Sequence, residues 1–291
     1  MKWEDREESK NVEDRRGLTP QTGFAIGGGA GLVILLLALV FGIDPQQIAR
    51  LIGQNQGGVA VGQNQDAQRP RDPEEEKLAR FTKVVFHDTE VVWGDQFRQM
   101  GKQYPEPELV LFDDVVESAC GMTDKAVGPF YCPVDSKVYI SLSFYRDMQR
   151  KLNAPGEFAR AYVVAHEVGH HVQRLLGYSD RVNAARRSQG QGDSNRMSVR
   201  LELQADYLAG VWAHHNQEKF HFLEEGDIES ALNAATQIGD DNLQRKARGY
   251  VVPDAFTHGT SKQRTRWFAE GLKTGDVDRA RLLFDLPYEQ L

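Results

Sequence analysis

The stretch Ala161-Tyr-Val-Val-Ala-His-Glu-Val-Gly-His-His171 places His166 and His170 four residues apart, with Glu167 between them. Apolar residues recur at helical spacing through it, which predicts an amphipathic helix. Residues four apart share one face of a helix, so the two imidazoles can hold one metal ion. The alternative is a buried helix with satisfied core histidines, but three adjacent polar groups among apolar neighbours need partners, which a metal ion would supply. The pattern therefore indicates a metal site.

A third ligand is expected, because catalytic zinc commonly has three protein ligands and a fourth position for water. Metzincins use a histidine six residues after the second one, where this chain has Leu176. Glu-zincins use a glutamate from a following helix, and Glu202 fits that scheme. Asp206, one turn later, is placed to accept a hydrogen bond from a ligand imidazole. Without the histidine pair, these two carboxylates would indicate only a solvated helix face.

Other side chains complete the predicted site. Glu167 follows a ligand directly and is expected to act as the general base on the zinc-bound water. His258, in a glycine-containing loop, is the candidate donor to the developing oxyanion, with an ordinary loop or capping histidine as the alternative. His214 and His215 are reserve candidates for the third ligand, and adjacent residues point apart, so only one of them could join.

These motifs carry a family resemblance. His-Glu-Val-Gly-His-His171, then Glu-Leu-Gln-Ala-Asp206 and His258-Gly-Thr-Ser261, with one apolar segment before them, resemble the family named "putative neutral zinc metallopeptidase", which consists of membrane-anchored bacterial proteins. The motif helix and the Glu-x-x-x-Asp helix are also similar to those of thermolysin-type Glu-zincins. The resemblance implies a mainly helical α+β fold with zinc in a cleft.

An apolar segment dominates the first part of the chain. Residues 24–43 are uncharged and about one bilayer long at 1.5 Å per residue, which predicts a transmembrane helix. A cleavable signal peptide is the alternative, but the run exceeds the usual signal core and no small-x-small site follows it. Lysine and arginine are more frequent before this segment than after it, which predicts an inner-membrane protein with a cytoplasmic N-terminus and a periplasmic domain. The cations concerned are Lys2, Arg6, Lys10, Arg15 and Arg16 before the segment, and Arg50 after it.

The predicted organisation has four parts. Residues 1–23 are charged and lack apolar periodicity, so a disordered cytoplasmic tail is expected, followed by the membrane helix at 24–43. Residues 44–73 are expected to be a flexible linker and 74–291 the zinc metallopeptidase domain. A disulfide is predicted between Cys120 and Cys132, which suits a periplasmic domain.

The domain is expected to be α+β. Two amphipathic helices, broken around residues 87–89, should begin it, and short runs between residues 109 and 142 predict a small antiparallel sheet before the metal helix. The strand at 138–142 is a candidate free edge for an extended peptide, with an interior strand as the equal alternative.

Composition narrows the function classes. The net charge of −7 and the absence of a long basic block argue against a nucleic-acid partner. Hydrolysis of a peptide or protein substrate is the leading prediction, because a structural zinc ion would prefer a closed four-ligand shell and would not need Glu167. The alternatives are a non-catalytic, membrane-tethered scaffold that retains the metal fold, and a hydrolase of cell-wall amides.

Overall fold

The computed structural model of the protein describes residues 1–17, 72–124, 128–188 and 190–291. The predicted membrane helix at 24–43 and nearly all of the predicted linker at 44–73 lie outside these residues. Among the residues that are described, none of the helices combines the length and the apolar character needed to cross a bilayer.

The described part of the chain is mostly helical, as predicted, with two small sheets. Its α-helices are α1 (Pro73–Gln99), α2 (Leu142–Arg150), α3 (Glu157–Leu175), α4 (Tyr178–Ser188), α5 (Gln191–Phe220), α6 (Asp227–Gln237), α7 (Asp240–Arg248), α8 (Ser261–Thr274) and α9 (Leu282–Asp285). Its strands are β1 (Val12–Asp14), β2 (Glu108–Phe112), β3 (Val115–Ser118), β4 (Gly121–Asp124), β5 (Phe130–Cys132) and β6 (Lys137–Ser141).

The main sheet is mixed, so the predicted antiparallel sheet is wrong in part. Its strand order is β1-β2-β6-β5, in which β1–β2 and β2–β6 are parallel and β5–β6 is antiparallel. Strands β3 and β4 form a separate antiparallel hairpin. Because β6 lies between β2 and β5, the strand predicted to offer a free edge at 138–142 is an interior strand. The terminal strand on that side of the described sheet is β5.

Helix α1 is continuous, where the sequence predicts two helices with a break around residues 87–89. Asp72 caps it by accepting from the backbone N–H of Glu74, and Pro73 occupies its first turn. The polar residues at the expected break find partners within the fold: Thr89 donates to the carbonyl of Phe86, and Asp88 is paired with Arg6. The helix therefore passes through the predicted break without leaving a buried polar group unpaired.

The N-terminal residues differ most from the prediction. Met1–Gly17 is not a disordered tail, because β1 pairs with β2 and the side chains of Met1 and Trp3 are buried in the main core. The charged residues of this segment pair with carboxylates of the domain and with one another, which compensates for its few apolar side chains. Residues 18–23 of the predicted tail lie outside the described residues.

A disulfide joins Cys120, in the turn between β3 and β4, to Cys132 at the end of β5. The bond connects the small hairpin to the main sheet. The terminal strand β5 is therefore held at one end by hydrogen bonds to β6 and by a covalent link.

The helices that carry the candidate site cross at glycines. A Cβ atom added to Gly210 of α5 would lie 2.2 Å from the carbonyl oxygen of Phe268, and one added to Gly271 of α8 would lie 2.0 Å from that of Tyr207. Real Cβ atoms do not approach a carbonyl oxygen so closely. The two backbones can therefore touch only because both positions lack a side chain.

Replacing Gly271 with alanine should lower the free energy of unfolding by about 1–3 kcal/mol, since the extra carbon forces α5 and α8 apart. Gly94→Ala is the matched control: Gly94 lies within α1 with no atom near its added Cβ, so alanine there should stabilise the protein by up to ~1 kcal/mol. Urea unfolding of both variants measures the difference. Equal stabilities would contradict the close crossing.

Candidate metal centre

Three potential ligand atoms converge between α3 and α5. One ligand atom each from His166, His170 and Glu202 lies within 4.8 Å of the other two. The Nε2 atom of His166 is 3.2 Å from one carboxylate oxygen of Glu202, and the Nε2 atom of His170 is 3.6 Å from the other. The two imidazoles share one helix face, as their spacing predicts, and the predicted third ligand faces them.

Small residues let the two helices approach. A Cβ atom on Gly169 of α3 would lie 3.1 Å from the carbonyl oxygen of Ala205 in α5, which is tighter than most real contacts. Gly169 stands beside His170, and Ala205 lies one turn after Glu202. The same close contact therefore brings the histidines of α3 within reach of the carboxylate on α5.

The tautomers of both histidines follow from their other ring nitrogens. The Nδ1 atom of His166 is 2.8 Å from a carboxylate oxygen of Asp206, and that of His170 is 2.8 Å from the side-chain oxygen of Gln173. The Gln173 amide donates to the carbonyl of Leu201 at 2.6 Å, which turns its oxygen towards His170. Both imidazoles therefore donate through Nδ1–H and turn Nε2 towards the shared centre, as ligand histidines do.

Asp206 is the most heavily bonded group of the site. Its side chain is fully buried and accepts from the Arg264 guanidinium at 2.8 and 2.9 Å, in addition to His166. The Tyr162 hydroxyl also donates to it at 2.5 Å. A buried carboxylate needs this compensation, and the result is a fixed acceptor behind His166.

The electrostatics favour a cation at the centre. Burial lowers the pKa of His166, but the carboxylates of Asp206 and Glu202 outweigh it and raise the pKa to about 10. Burial raises the pKa of Glu202, but His170, His166 and His258 outweigh it and hold the pKa well below its usual value. The protein thus favours positive charge between an imidazole Nε2 and a carboxylate. Two imidazoles and one carboxylate are a donor set that zinc accepts, so these residues fit the ion.

Glu167 lies beside the centre and next to strand β5. Its side chain is buried, and the backbone of Tyr131 lies near enough to favour the charged form and lower its pKa slightly. Burial raises the pKa of Glu167 to about 7, although the positive charge of His166 acts in the opposite direction. A carboxylate with a pKa near neutrality can both take and return a proton.

His258 is held at the edge of the site by α7. Its Nδ1 atom is 3.1 Å from a carboxylate oxygen of Asp240, and its backbone N–H donates to the other oxygen at 2.6 Å. About one third of the side chain is exposed, and its charge influences the pKa of Glu202. His258 is therefore anchored near the third predicted ligand, with part of its ring open to solvent.

The reserve candidates His214 and His215 are engaged elsewhere on α5. His214 donates through Nδ1 to the carbonyl of Leu272, and His215 donates through Nε2 to that of Gly275. These carbonyls belong to the last turn of α8 and its cap. With Glu218, the two histidines form a separate group away from Glu202.

Sequence reasoning missed Arg264, Gln173 and Tyr131. Arg264 lies on α8 and Tyr131 on β5, so neither is connected by spacing to the two motifs. Gln173 had a usable signal, because it follows His170 by three residues and lies on the same helix face.

Comparisons with known proteins also indicate zinc. The model of the family described as "Putative neutral zinc metallopeptidase" matches residues 1–281. A protein of Escherichia coli K12, "Uncharacterized protein YpfJ", is 48% identical over 284 residues, which cover 95% of this chain and 96% of that protein. "Uncharacterized protein Rv2575" of Mycobacterium tuberculosis H37Rv is 43% identical over 183 residues, which cover 60% of this chain and 61% of that protein. No solved structure gives a significant match.

Changing Asp206 to Asn should weaken zinc binding by about 10–100-fold, because His166 loses the charge that strengthens it as a donor. Competition with a chromophoric chelator measures the affinity. Asp88→Asn is the matched control, since Asp88 is another buried carboxylate paired with an arginine, but it lies away from the site. Both changes should reduce stability, and only Asp206→Asn should change the zinc affinity. Equal affinities in the two folded variants would contradict this role of Asp206.

Proposed function

Because the chain belongs to the neutral zinc metallopeptidase family, which implies zinc as its cofactor, we propose that it hydrolyses peptide bonds at the centre formed by α3 and α5. The observation that carries this proposal is the convergence of two Nε2 atoms and one carboxylate, with both Nδ1–H groups engaged by Asp206 and Gln173. Three protein ligands are the number that catalytic zinc sites commonly use, with the fourth position taken by water.

His166, His170 and Glu202 are the proposed zinc ligands, with Asp206 as the acceptor that orients His166. When bound, zinc supplies Lewis acidity, which lowers the pKa of a water molecule and polarises a substrate carbonyl. The protein contributes fixed ligand orientations, because each imidazole is already held by a second hydrogen bond before the metal arrives.

Glu167 is the proposed general base. Its carboxylate takes a proton from the attacking water and delivers it to the nitrogen of the leaving amine. His258 is the proposed donor to the developing oxyanion, since Asp240 fixes its ring near Glu202.

Strand β5 is the proposed binding surface for the substrate backbone. It is the terminal strand of the described sheet on the side of α3, and Tyr131 at its centre contacts Glu167. An extended peptide can add to such an edge through main-chain hydrogen bonds, which recognise a backbone rather than particular side chains. This arrangement favours a peptide or protein substrate in an extended conformation.

Glu167→Gln should retain zinc and lower the rate of cleavage by about 10²–10⁴-fold, since the amide cannot accept the proton. Metal analysis and hydrolysis of an unstructured protein such as casein measure the two properties. Glu157→Gln is the matched control, because it makes the same change at the first residue of α3 and should leave cleavage unchanged. Cleavage by Glu167→Gln at the unmodified rate would exclude Glu167 as the base.

Glu202→Ala should lose the bound zinc or bind it far more weakly, because only the two imidazoles would remain. Glu218→Ala serves as the control on the same helix, in the group with His214 and His215. It should retain the zinc content of the original protein. Loss of zinc in Glu218→Ala but not in Glu202→Ala would overturn the proposed ligand set.

The unmodified protein provides the direct test of peptide cleavage. Incubation of the zinc-loaded protein with a mixed peptide library should produce cleavage that a chelator abolishes and added zinc restores. A protein that binds zinc at His166, His170 and Glu202 but cleaves none of these peptides would favour the non-catalytic scaffold instead.

A further inference from the structure

Residues Met1–Gly17, here termed the N-terminal strap, are packed along the domain from the start of α3 to the start of α1. The side chain of Trp3 is only 3% exposed and packs edge-on against Phe81 of α1, with the ring centroids 5.3 Å apart. Its indole N–H donates to Glu157 at 3.0 Å. The strap therefore contributes a large core side chain and contacts the first residue of the helix that carries His166 and His170.

The first residue of the strap lies in an acidic pocket. The amino nitrogen of Met1 is 3.0 Å from Glu224, 3.3 Å from Asp227 and 3.5 Å from Glu157. The adjacent backbone N–H of Lys2 donates to the carbonyl of Phe222 at 2.8 Å. The strap is thus fixed at its first residue by contacts to α3 and to the segment leading into α6.

Arg6 pairs with a buried carboxylate of the domain. Its guanidinium is 2.5 Å from the carboxylate of Asp88 on α1, and the side chain of Asp88 is 1% exposed. If the strap left, this carboxylate would be buried without its counter-charge, an arrangement that folded proteins avoid. Glu90, two residues along, accepts from Ser9 at 2.7 Å and from Asn11 at 3.0 Å. The buried carboxylates of α1 therefore find their partners on the strap.

The last part of the strap joins the main sheet. Val12, Glu13 and Asp14 pair with Leu109, Val110 and Leu111 in parallel register. Arg16 then binds Glu75 and Glu76 in the first turn of α1, at 3.2 and 3.1 Å. The described residues on either side of the 18–71 gap therefore lie next to each other on one body.

The cations of the strap have structural partners. Besides Arg6 and Arg16, Arg15 lies 2.7 Å from Glu13, and Lys10 lies 3.6 Å from Glu7. Four of the five cations before the apolar segment therefore form ion pairs, Arg6 and Arg16 with α1 and Lys10 and Arg15 within the strap. The excess of lysine and arginine before residues 24–43 over those after them is therefore weaker evidence for a cytoplasmic N-terminus.

We propose that the N-terminal strap and the metal-site domain lie on the same side of any membrane that residues 24–43 enter. A chain that crosses a bilayer once has its two ends on opposite sides, whereas the strap and the domain form one packed body. The Cys120–Cys132 disulfide indicates that this side is an oxidising compartment. The proposal replaces the expected cytoplasmic N-terminus and does not depend on catalysis.

A pair of cysteines across the β1–β2 register tests this in the full-length chain in its native cell fraction. Val12 and Leu109 are direct partners, and neighbouring strands lie about 4.8 Å apart, within the range of a disulfide. V12C/L109C should close an intramolecular disulfide, detected by protection of both cysteines from a maleimide mass tag added after unfolding in denaturant without reductant. V12C/L111C is the matched control, because it moves the second cysteine two residues out of register and should leave both thiols reactive.

A second pair of cysteines, at the surface, gives a test that still works if a core variant fails to fold. Glu4 and Lys77 are both exposed, with 3.1 Å between their charged atoms, so E4C/K77C should be bridged within one chain by a short bismaleimide. The proposal would be overturned if the thiols stayed free in both V12C/L109C and E4C/K77C, and if E4C were labelled only from the compartment opposite K77C. A covalent dimer in place of the intramolecular bond would overturn docking within one chain.

Discussion

The structure of the site depends on one buried carboxylate. Asp206, on α5, is removed from solvent, and it is compensated by groups from two other helices: Tyr162 and His166 on α3, and Arg264 on α8. Such a group is stable only when every partner is in place, because an unpaired charge in the interior is strongly destabilising. The need to pair Asp206 therefore fixes the relative positions of α3 and α5, which supply the ligands, and of α8, which supplies Arg264. Glycines at the two helix crossings make the required proximity sterically feasible.

The metal-site pattern was predictable because its spacing is local. His166, Glu167 and His170 lie on one helical turn, and the Glu202–Asp206 pair lies on another, so periodicity alone places the members of each group together. The meeting of the two groups required a family scheme in addition, since nothing local joins α3 to α5. Arg264 could not be found in this way, because its partnership with Asp206 is created by tertiary packing across Gly210 and Gly271.

The sheet and the N-terminus were predicted less well, for a related reason. Short strands show where the chain is extended, but not which strands become neighbours, so β6 could be recognised as a strand but not as an interior one. The residues of the strap look solvated in the sequence, since their charges outnumber their apolar side chains. In the fold, Arg6 and Arg16 pair with carboxylates of α1, more than 50 positions away in the chain. Amino-acid composition shows that these charges are present, but it does not show which distant residues pair with them.

The link between Cys120 and Cys132 has a practical consequence for handling the protein. Cys132 ends β5, the strand that contains Tyr131 near Glu167, so a thiol reductant in the purification buffer would release one end of the strand beside the candidate metal centre. Thiols are also good zinc ligands and compete for the metal. Protein prepared with such a reductant would have a less constrained β5 and less bound zinc. Any activity measured on it would therefore underestimate that of the oxidised protein.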